Sequence, residues 1–260
     1  MIERVSWPRA IEAQLLDALA RSGAQSVAAG SFRVHLWDQP DPFYRNVAMP
    51  VRRRVHWLPA IRLVEGIFRA AGRPARLEFI EERWPDLAGA LVDAGFVCRQ
   101  RMPVMIRDRP SAAVATAPAV HLLRPDGPPG LVAATLDALN AAFDQTMPDA
   151  TRIAEAAQLT RELAAGHCRV AVILEDGRPV AGASLVGDDG AAELAGVWAA
   201  PGRRRRGYGT AVCQALLERF FASGGRFVWL GAHDHAASML YASLDFRAVG
   251  HQLDFSRPDA

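Results

Sequence analysis

One segment constrains the fold of this chain more than any other: residues 193–210 read ELAGVWAAPGRRRRGYGT. An apolar strand leads into four consecutive arginines, two glycines at positions 207 and 209, and a helix with helically spaced apolar residues. The two glycines permit a tight turn whose backbone N–H groups point into one concavity, at the positive end of the helix dipole. The segment therefore predicts a site for a pyrophosphate-like anion. The predicted buried face of the helix comprises Val212, Leu216, Leu217, Phe220 and Phe221.

Two common phosphate-binding loops do not fit this segment. A Walker loop needs Gly-Lys-Ser/Thr, and the chain contains no lysine. A dinucleotide fingerprint needs a third glycine, where this chain has Val212. A run of arginines alone would favour a solvated loop or a nucleic-acid patch, but this run stands directly before Gly-Tyr-Gly and a helix, which favours an anion cradle.

Two motifs resemble the GNAT superfamily of N-acetyltransferases. Residues 204–209, RRRGYG, match its phosphate motif Arg/Gln-x-x-Gly-x-Gly/Ala. Residues 234–246, DHAASMLYASLDF, are similar to the later pattern Asn-x-x-Ala-x-x-Leu-Tyr-x-x-Leu-Gly-Phe. Asp234 and Asp245 depart from that pattern; the first change puts a cofactor contact in doubt, and the second affects a turn. The resemblance covers residues 119–255.

The resemblance implies that the chain is an N-acetyltransferase, with acetyl-CoA as the donor and a primary amine of a small molecule, amino acid or peptide as the acceptor. The strand before the loop would splay from its neighbour and pair with the pantetheine arm, while the loop amides would hold the pyrophosphate. The implied cofactor-binding residues are Val197, Trp198, Ala199, Arg204, Arg205, Arg206, Gly207, Tyr208, Gly209, Thr210 and Asp234.

Tyr241 and Glu193 are the candidate catalytic residues. Tyr241 stands at the family's general-acid position, where a phenol can protonate a thiolate; the alternative is a core tyrosine. A glutamate in the place of Glu193 activates the amine through water in some branches of the family; the alternative is a solvated carboxylate. Alternation along the strand places Glu193 on the face of Ala195 and Val197.

Other candidate groups belong to loops. His233 and His235 compete with Glu193 as general base, although a histidine in a loop is more often only a loop residue. The acceptor is expected at residues 143–149, where Asp144 or Asp149 would pair with an ammonium group; the alternative is a loop with an N-cap aspartate.

Proline and small residues at 111–118 predict a linker between residues 1–110 and 119–260. The two parts end alike at an offset of 150 positions, which predicts an internal duplication; the alternative is that two βαβ units look alike by chance. The fold class is therefore α/β: two tandem GNAT-like domains, each with a mixed, mostly antiparallel sheet flanked by helices. In the first, residues 49–57 contain no glycine and Leu91 stands in the place of Tyr241. We expect this degenerate copy to bind no CoA.

Composition excludes several classes. A net charge of +2 gives no reason to expect nucleic-acid or membrane partners, and no stretch reaches the ~20 apolar residues of a membrane span. Three scattered cysteines predict neither a disulfide framework nor a metal site, and fit a reducing compartment. We expect a cytoplasmic monomer or homodimer. The competing functions are a non-catalytic acyl-CoA sensor and an arginine-rich nucleic-acid binder.

Overall fold

The computed structural model describes residues 6–37, 46–53, 56–110, 118–128 and 130–258. Residues 111–117 of the predicted linker lie outside these ranges. Packing divides the chain into two compact units. One comprises residues up to 105, 231–238 and 248 onward, and the other comprises 106–230 and 239–247.

The elements alternate between helices and strands along the chain. In order they are α1 (Trp7–Arg21), β1 (Gln25–Ala29), β2 (Phe32–Leu36), β3 (Val47–Pro50), α2 (Leu58–Ala70), β4 (Arg76–Ile80), a 3₁₀ helix (Glu81–Arg83), α3 (Leu87–Asp93), β5 (Val97–Arg107), β6 (Val120–Leu122), α4 (Leu131–Ala142), α5 (Asp149–Ala165), β7 (Cys168–Glu175), β8 (Arg178–Gly187), β9 (Ala191–Ala199), α6 (Tyr208–Ala222), β10 (Phe227–Gly231), α7 (His235–Ala242) and β11 (Arg247–Ser256). This is the predicted mixed α/β class, with mostly antiparallel sheets flanked by helices.

The first unit is built on strands in the order β1-β2-β3-β4-β11-β5. The β1–β2, β2–β3 and β4–β11 pairs are antiparallel, and β3 runs parallel to β4. On α2, Ile61, Val64 and Phe68 recur at helical spacing and are fully buried in the core of this unit. The core also contains Leu91, the predicted counterpart of Tyr241.

The second unit is built on strands in the order β10-β9-β8-β7-β6. A hairpin joins β7 and β8 through Asp176 and Gly177, which both have the positive φ angles, 48° and 75°, that tight hairpin turns need. Four of the five residues predicted for the buried face of α6 are buried, and Phe221 is half-buried below the guanidinium of Arg107.

The order of the elements repeats in the way the sequence predicts. The series β4-α3-β5 recurs as β10-α7-β11 about 150 positions later. The residues of β11 from 248 onward lie in the first unit, where Leu253 pairs with Phe79 of β4 and Phe255 with Leu77.

The helices of the described residues include none with both the length and the apolar character needed to cross a bilayer.

Acid is expected to destabilise the first unit through His35. This β2 residue is 2% exposed, and neither ring nitrogen has a hydrogen-bond partner among the described residues. Burial, and then the charge of Arg33, lower its pKa from 6.5 to about 4. The unfolded chain therefore binds more protons at His35 between these two values, so the contribution of this residue to the free energy of unfolding falls by ~3 kcal/mol as the pH drops through that window. Burial raises the pKa of Glu12 to about 7, which acts in the opposite direction and is common to the native chain and His35→Leu. Urea denaturation at pH 7 and pH 4 should therefore give a change in unfolding free energy that is ~3 kcal/mol less favourable in the native chain than in His35→Leu. The same change in both proteins would contradict the role of His35.

Candidate functional site

The site begins where strand β9 loses its parallel neighbour. The ladder between β9 and β10 joins Ala191 to Phe227, Ala192 to Val228 and Glu193 to Trp229. Strand β9 continues to Ala199, but within the described residues no further pair joins it to β10. The ladder thus ends at Glu193. The backbone of residues 194–199 is then available on that side to pair with an extended ligand, as an added strand would.

A β-bulge follows on the other edge of β9. Gly196 and Val197 together stand opposite Ala183 of β8, because the register shifts between the neighbouring pairs. Gly196 has a positive φ of 55°, a conformation that a glycine adopts without strain. The bulge lies in the middle of the unpaired stretch, so it bends β9 where the strand leaves β10.

The bulge changes which residues share a face, and here the predicted alternation is wrong. Ala195 pairs with Ser184 and Trp198 with Gly182, so Trp198, rather than Val197, shares the face of Glu193 and Ala195. The indole of Trp198 lies against Gly182, where a β-carbon would come within 2.7 Å of the indole nitrogen. The indole of Trp198 can therefore occupy this position only because residue 182 of β8 is a glycine.

The loop after β9 leads into α6, and no side chain caps the N-terminus of this helix. Gly202, Arg205 and Gly207 have positive φ angles of 76°, 60° and 76°. Gly207 is the N-cap of α6, where no side chain caps the helix, and its carbonyl accepts the first helical hydrogen bond, from Ala211. The amides of residues 208–210 precede that bond. They are the orphan donors that, with the helix dipole, attract an anion.

The four arginines of this loop divide into two pairs. Arg203 donates from Nε to Glu175 at 2.7 Å, and Arg204 donates from Nη2 to the carbonyl of Ala142, at the end of α4, at 3.1 Å. The side chains of Arg205 and Arg206 are exposed. Arg204, a predicted cofactor-binding residue, is also exposed, and its guanidinium bonds to the carbonyl at the end of α4.

Sequence reasoning missed Glu175, the last residue of β7. Its Oε2 accepts from Arg203, and its Oε1 accepts from the hydroxyl of Tyr208 at 2.9 Å. The bonds from Tyr208 and then Arg203 hold the pKa of this carboxyl below its usual range. In the sequence, Glu175 is marked only by the Asp-Gly turn that follows it. That pattern is typical of a hairpin and does not by itself indicate a functional residue.

Gly209 connects three segments that the motifs single out. A β-carbon on Gly209 would lie 3.8 Å from Cγ1 of Val197 on β9 and 3.9 Å from Cδ2 of Leu240 on α7. Helix α6 can approach both elements this closely because position 209 is small. The start of the helix, the unpaired stretch of β9 and the helix that carries Tyr241 therefore meet at one place.

Tyr241 is buried near the end of α7. Its ring contacts Phe246 edge to face, with centroids 6.0 Å apart, and it is 8% exposed. Its carbonyl accepts from the amides of Leu244 and Phe246, and Asp245 between them has a φ of 63°. Asp245 thus adopts the left-handed conformation of the glycine that it replaces in the family pattern, as expected of a change confined to a turn.

Asp234 begins α7 as a helix cap. Its Oδ1 accepts from the amide of Ala237 at 2.7 Å, and its carbonyl accepts from Ser238. Its neighbours His233 and His235 are exposed. The carboxylate predicted to contact the cofactor is therefore bonded to the backbone of its own helix.

This cap predicts a graded response to substitution. Asp234→Ala removes the capping oxygen and should lower the free energy of unfolding by about 1 kcal/mol. Asp234→Asn keeps a capping oxygen and restores the residue of the family pattern, so it should stay within a few tenths of a kcal/mol of the native value. Urea denaturation of the three proteins measures both. Equal stability of the alanine variant would show that the bond contributes nothing.

The segment predicted to meet the acceptor joins α4 to α5. Asp144 has a φ of 53°, and Asp149, the first residue of α5, pairs with Arg152 at 2.9 Å. Arg152 also pairs with Asp137. Phe143 and Ile153 are large apolar side chains that are 49% and 67% exposed. Asp149 therefore already has a cationic partner, while Phe143 and Ile153 give this region an apolar surface.

Potential metal ligands lie in the first unit. Glu81, Glu82 and His251 bring one ligand atom each within 4.8 Å of one another. These groups already bond to protein: Glu82 accepts from the backbone and ring of His251, and Glu81 accepts from Arg101. Of the cysteines, Cys168 and Cys213 are buried, and Cys98 is exposed.

The sequence profile of the acetyltransferase (GNAT) family matches residues 134–246, which run from within α4 to beyond α7 and include the loop between β9 and α6. Residues 134–246 form a GNAT acetyltransferase domain. Comparison with curated proteins finds no match.

Solved structures share the fold over nearly the whole chain. A GCN5-related N-acetyltransferase from Kribbella flavida is 24% identical, with a TM-score of 0.76, and the match covers 99% of this chain and 98% of that protein. A tandem GNAT protein from the clavulanic acid biosynthesis pathway, solved without acetyl-CoA, is 14% identical, with a TM-score of 0.64 and the same coverage. A GNAT-family protein from Novosphingobium aromaticivorans is 17% identical, with a TM-score of 0.58 and coverage of 95% and 97%. The fold that the chain shares with these structures therefore extends beyond the profile match into the N-terminal part.

Proposed function

We propose that this protein is an acetyl-CoA-dependent N-acetyltransferase that acetylates a primary amine of a small molecule, amino acid or peptide. The observation that carries the proposal is the uncapped N-terminus of α6 at Gly207, close to the stretch of β9 that has left β10. The helix end suits the pyrophosphate of CoA. The unpaired strand suits the amide-bearing pantetheine arm.

Each cofactor contact has a proposed residue. The backbone of Val197, Trp198 and Ala199 pairs with pantetheine, and the amides of residues 205–210 bind the pyrophosphate. Arg205 and Arg206, whose side chains are exposed, add charge for the phosphates. Arg204 contributes its backbone, because its side chain holds the end of α4.

The reaction needs a base, a positioned thioester and an acid. The neutral amine attacks the thioester carbonyl carbon, a C–N bond forms and the C–S bond breaks. Glu193, at the last pair of the β9–β10 ladder, takes the proton of the amine through water. Tyr241 gives its phenolic proton to the departing thiolate of CoA. The product is the acetamide.

We also propose that the chain is a tandem of two GNAT-like domains, residues 1–110 and 119–260, of which only the second binds CoA. In the first, the position that corresponds to Tyr241 holds Leu91, which is fully buried. The described part of residues 49–57 contains no glycine that could form a phosphate loop.

Calorimetric titration with acetyl-CoA tests the proposal. We expect saturable binding of one equivalent, followed by release of free CoA thiol when a panel of primary amines is added. Two equivalents would show that the first domain is active, and binding without turnover on any amine would identify an acyl-CoA-binding protein instead. Absence of binding would overturn the acetyltransferase assignment.

A further inference from the structure

The phosphate loop needs support from outside itself. Three of its residues, Gly202, Arg205 and Gly207, have positive φ angles, and two of them are glycines with many accessible conformations. Within the loop, the amide of Arg203 donates to the carbonyl of Ala200, and Nε of Arg204 lies 3.5 Å from the carbonyl oxygen of Ala199. A loop of this composition loses conformational entropy when it is ordered around a ligand.

Glu175 supplies support at both ends of the loop. One carboxylate oxygen holds Arg203, before the cradle, and the other holds Tyr208, the first residue of α6. Between these two anchored residues lie Arg204 to Gly207. Their backbone conformation determines the direction of the amides at the start of α6. A single side chain on the β7–β8 hairpin therefore spans the loop and fixes the distance between its two ends.

We propose that Glu175 is a positioning residue that pre-orders the phosphate loop for CoA by holding Arg203 and Tyr208 together. This inference rests on the proposed function, because it concerns the same anion site. Glu175 would raise the affinity for CoA without touching it: the conformational cost of ordering the loop is met in the free protein rather than at binding.

The charges agree with this role. A carboxylate beside an anion site would by itself repel phosphate, but Glu175 is bonded to the guanidinium of Arg203 and also feels the charge of Arg206. Its second bond, from the neutral hydroxyl of Tyr208, adds no charge. Removal of that hydroxyl therefore tests the positioning effect apart from electrostatics.

The experiment measures the affinity of the full chain for CoA and dephospho-CoA by calorimetry. Tyr208→Phe should weaken both ligands by roughly three- to tenfold, the range expected when one hydrogen bond no longer contributes. Glu175→Ala should weaken both at least as much, and Glu175→Gln, which keeps one acceptor oxygen for Tyr208, should recover part of the loss. Dephospho-CoA keeps the pyrophosphate but lacks the 3′-phosphate, so an equal loss for both ligands places the effect at the pyrophosphate.

The double variant gives the decisive comparison. If Glu175 acts through Tyr208, the Tyr208→Phe substitution should add nothing in the Glu175→Ala background. Asp189→Ala is the matched control: it removes a carboxylate paired with Arg169 in the same unit and should leave CoA affinity unchanged. Thermal unfolding of each variant separates a loss of binding from a loss of fold, since a structural role alone would lower the unfolding temperature without this coupling.

The outcomes separate the two proposals. CoA binding by the native chain with unchanged affinity in Tyr208→Phe and Glu175→Ala overturns the positioning role and leaves the proposed function intact. Losses that multiply in the double variant also overturn it, because they show that the two residues act independently. No CoA binding by the native chain overturns both.

Discussion

Gly207→Asp should lower the affinity for acetyl-CoA by at least about a hundredfold, whereas Gly207→Asn should lower it by only a few fold. No atom lies within 4 Å of the place where a β-carbon would stand, so either side chain fits. Asparagine and aspartate also tolerate the positive φ of this position better than other residues. The two variants therefore share their shape and backbone cost, and they differ by one charge.

That charge would face the anion at the end of a helix. Two unit charges about 4 Å apart interact by ~4 kcal/mol near a protein surface, and about 1.4 kcal/mol corresponds to a factor of ten in affinity. Repulsion of the pyrophosphate by the introduced carboxylate therefore accounts for the hundredfold loss even after screening by salt. Calorimetry with acetyl-CoA measures both variants. Equal affinities for the aspartate and asparagine proteins would show that the pyrophosphate binds elsewhere.

The parts of this site that the sequence could predict are local in the chain. The strand, the loop and the helix between residues 193 and 222 follow from short-range periodicity and from two glycines. The hairpin at Asp176 follows from turn chemistry, and both of its central residues have positive φ. In these cases the physical cause lies within a few residues of its effect.

The missed parts depend on residues that are distant in sequence. The bulge at Gly196 arises from the register between β9 and β8, so alternation along β9 alone placed Val197 on the wrong face. Arg204 reaches Ala142, 62 positions earlier, and Glu175 reaches Tyr208, 33 positions later. A pattern of neighbouring residues cannot predict contacts over such distances in sequence.

The two tyrosines near the site should separate binding from chemistry. Tyr208→Phe and Tyr241→Phe remove the same hydroxyl group, one at the loop and one on α7. The first should weaken CoA binding and leave the turnover at saturating acetyl-CoA unchanged. The second should leave binding unchanged, because the ring still packs against Phe246. Each variant is thus the matched control for the other.

Tyr241→Phe should reduce the turnover of acetyl transfer by roughly 10²- to 10⁴-fold, the contribution of a positioned general acid. Without the phenol, the thiolate of CoA would have to leave without a proton from the protein, and water reaches Tyr241 poorly because the residue is 8% exposed. The measurement is thiol release with an accepted amine at saturating acetyl-CoA, together with calorimetry of the same protein. Full turnover in the variant would make Tyr241 a core residue that packs on Phe246, and would leave the protonation of the thiolate to solvent.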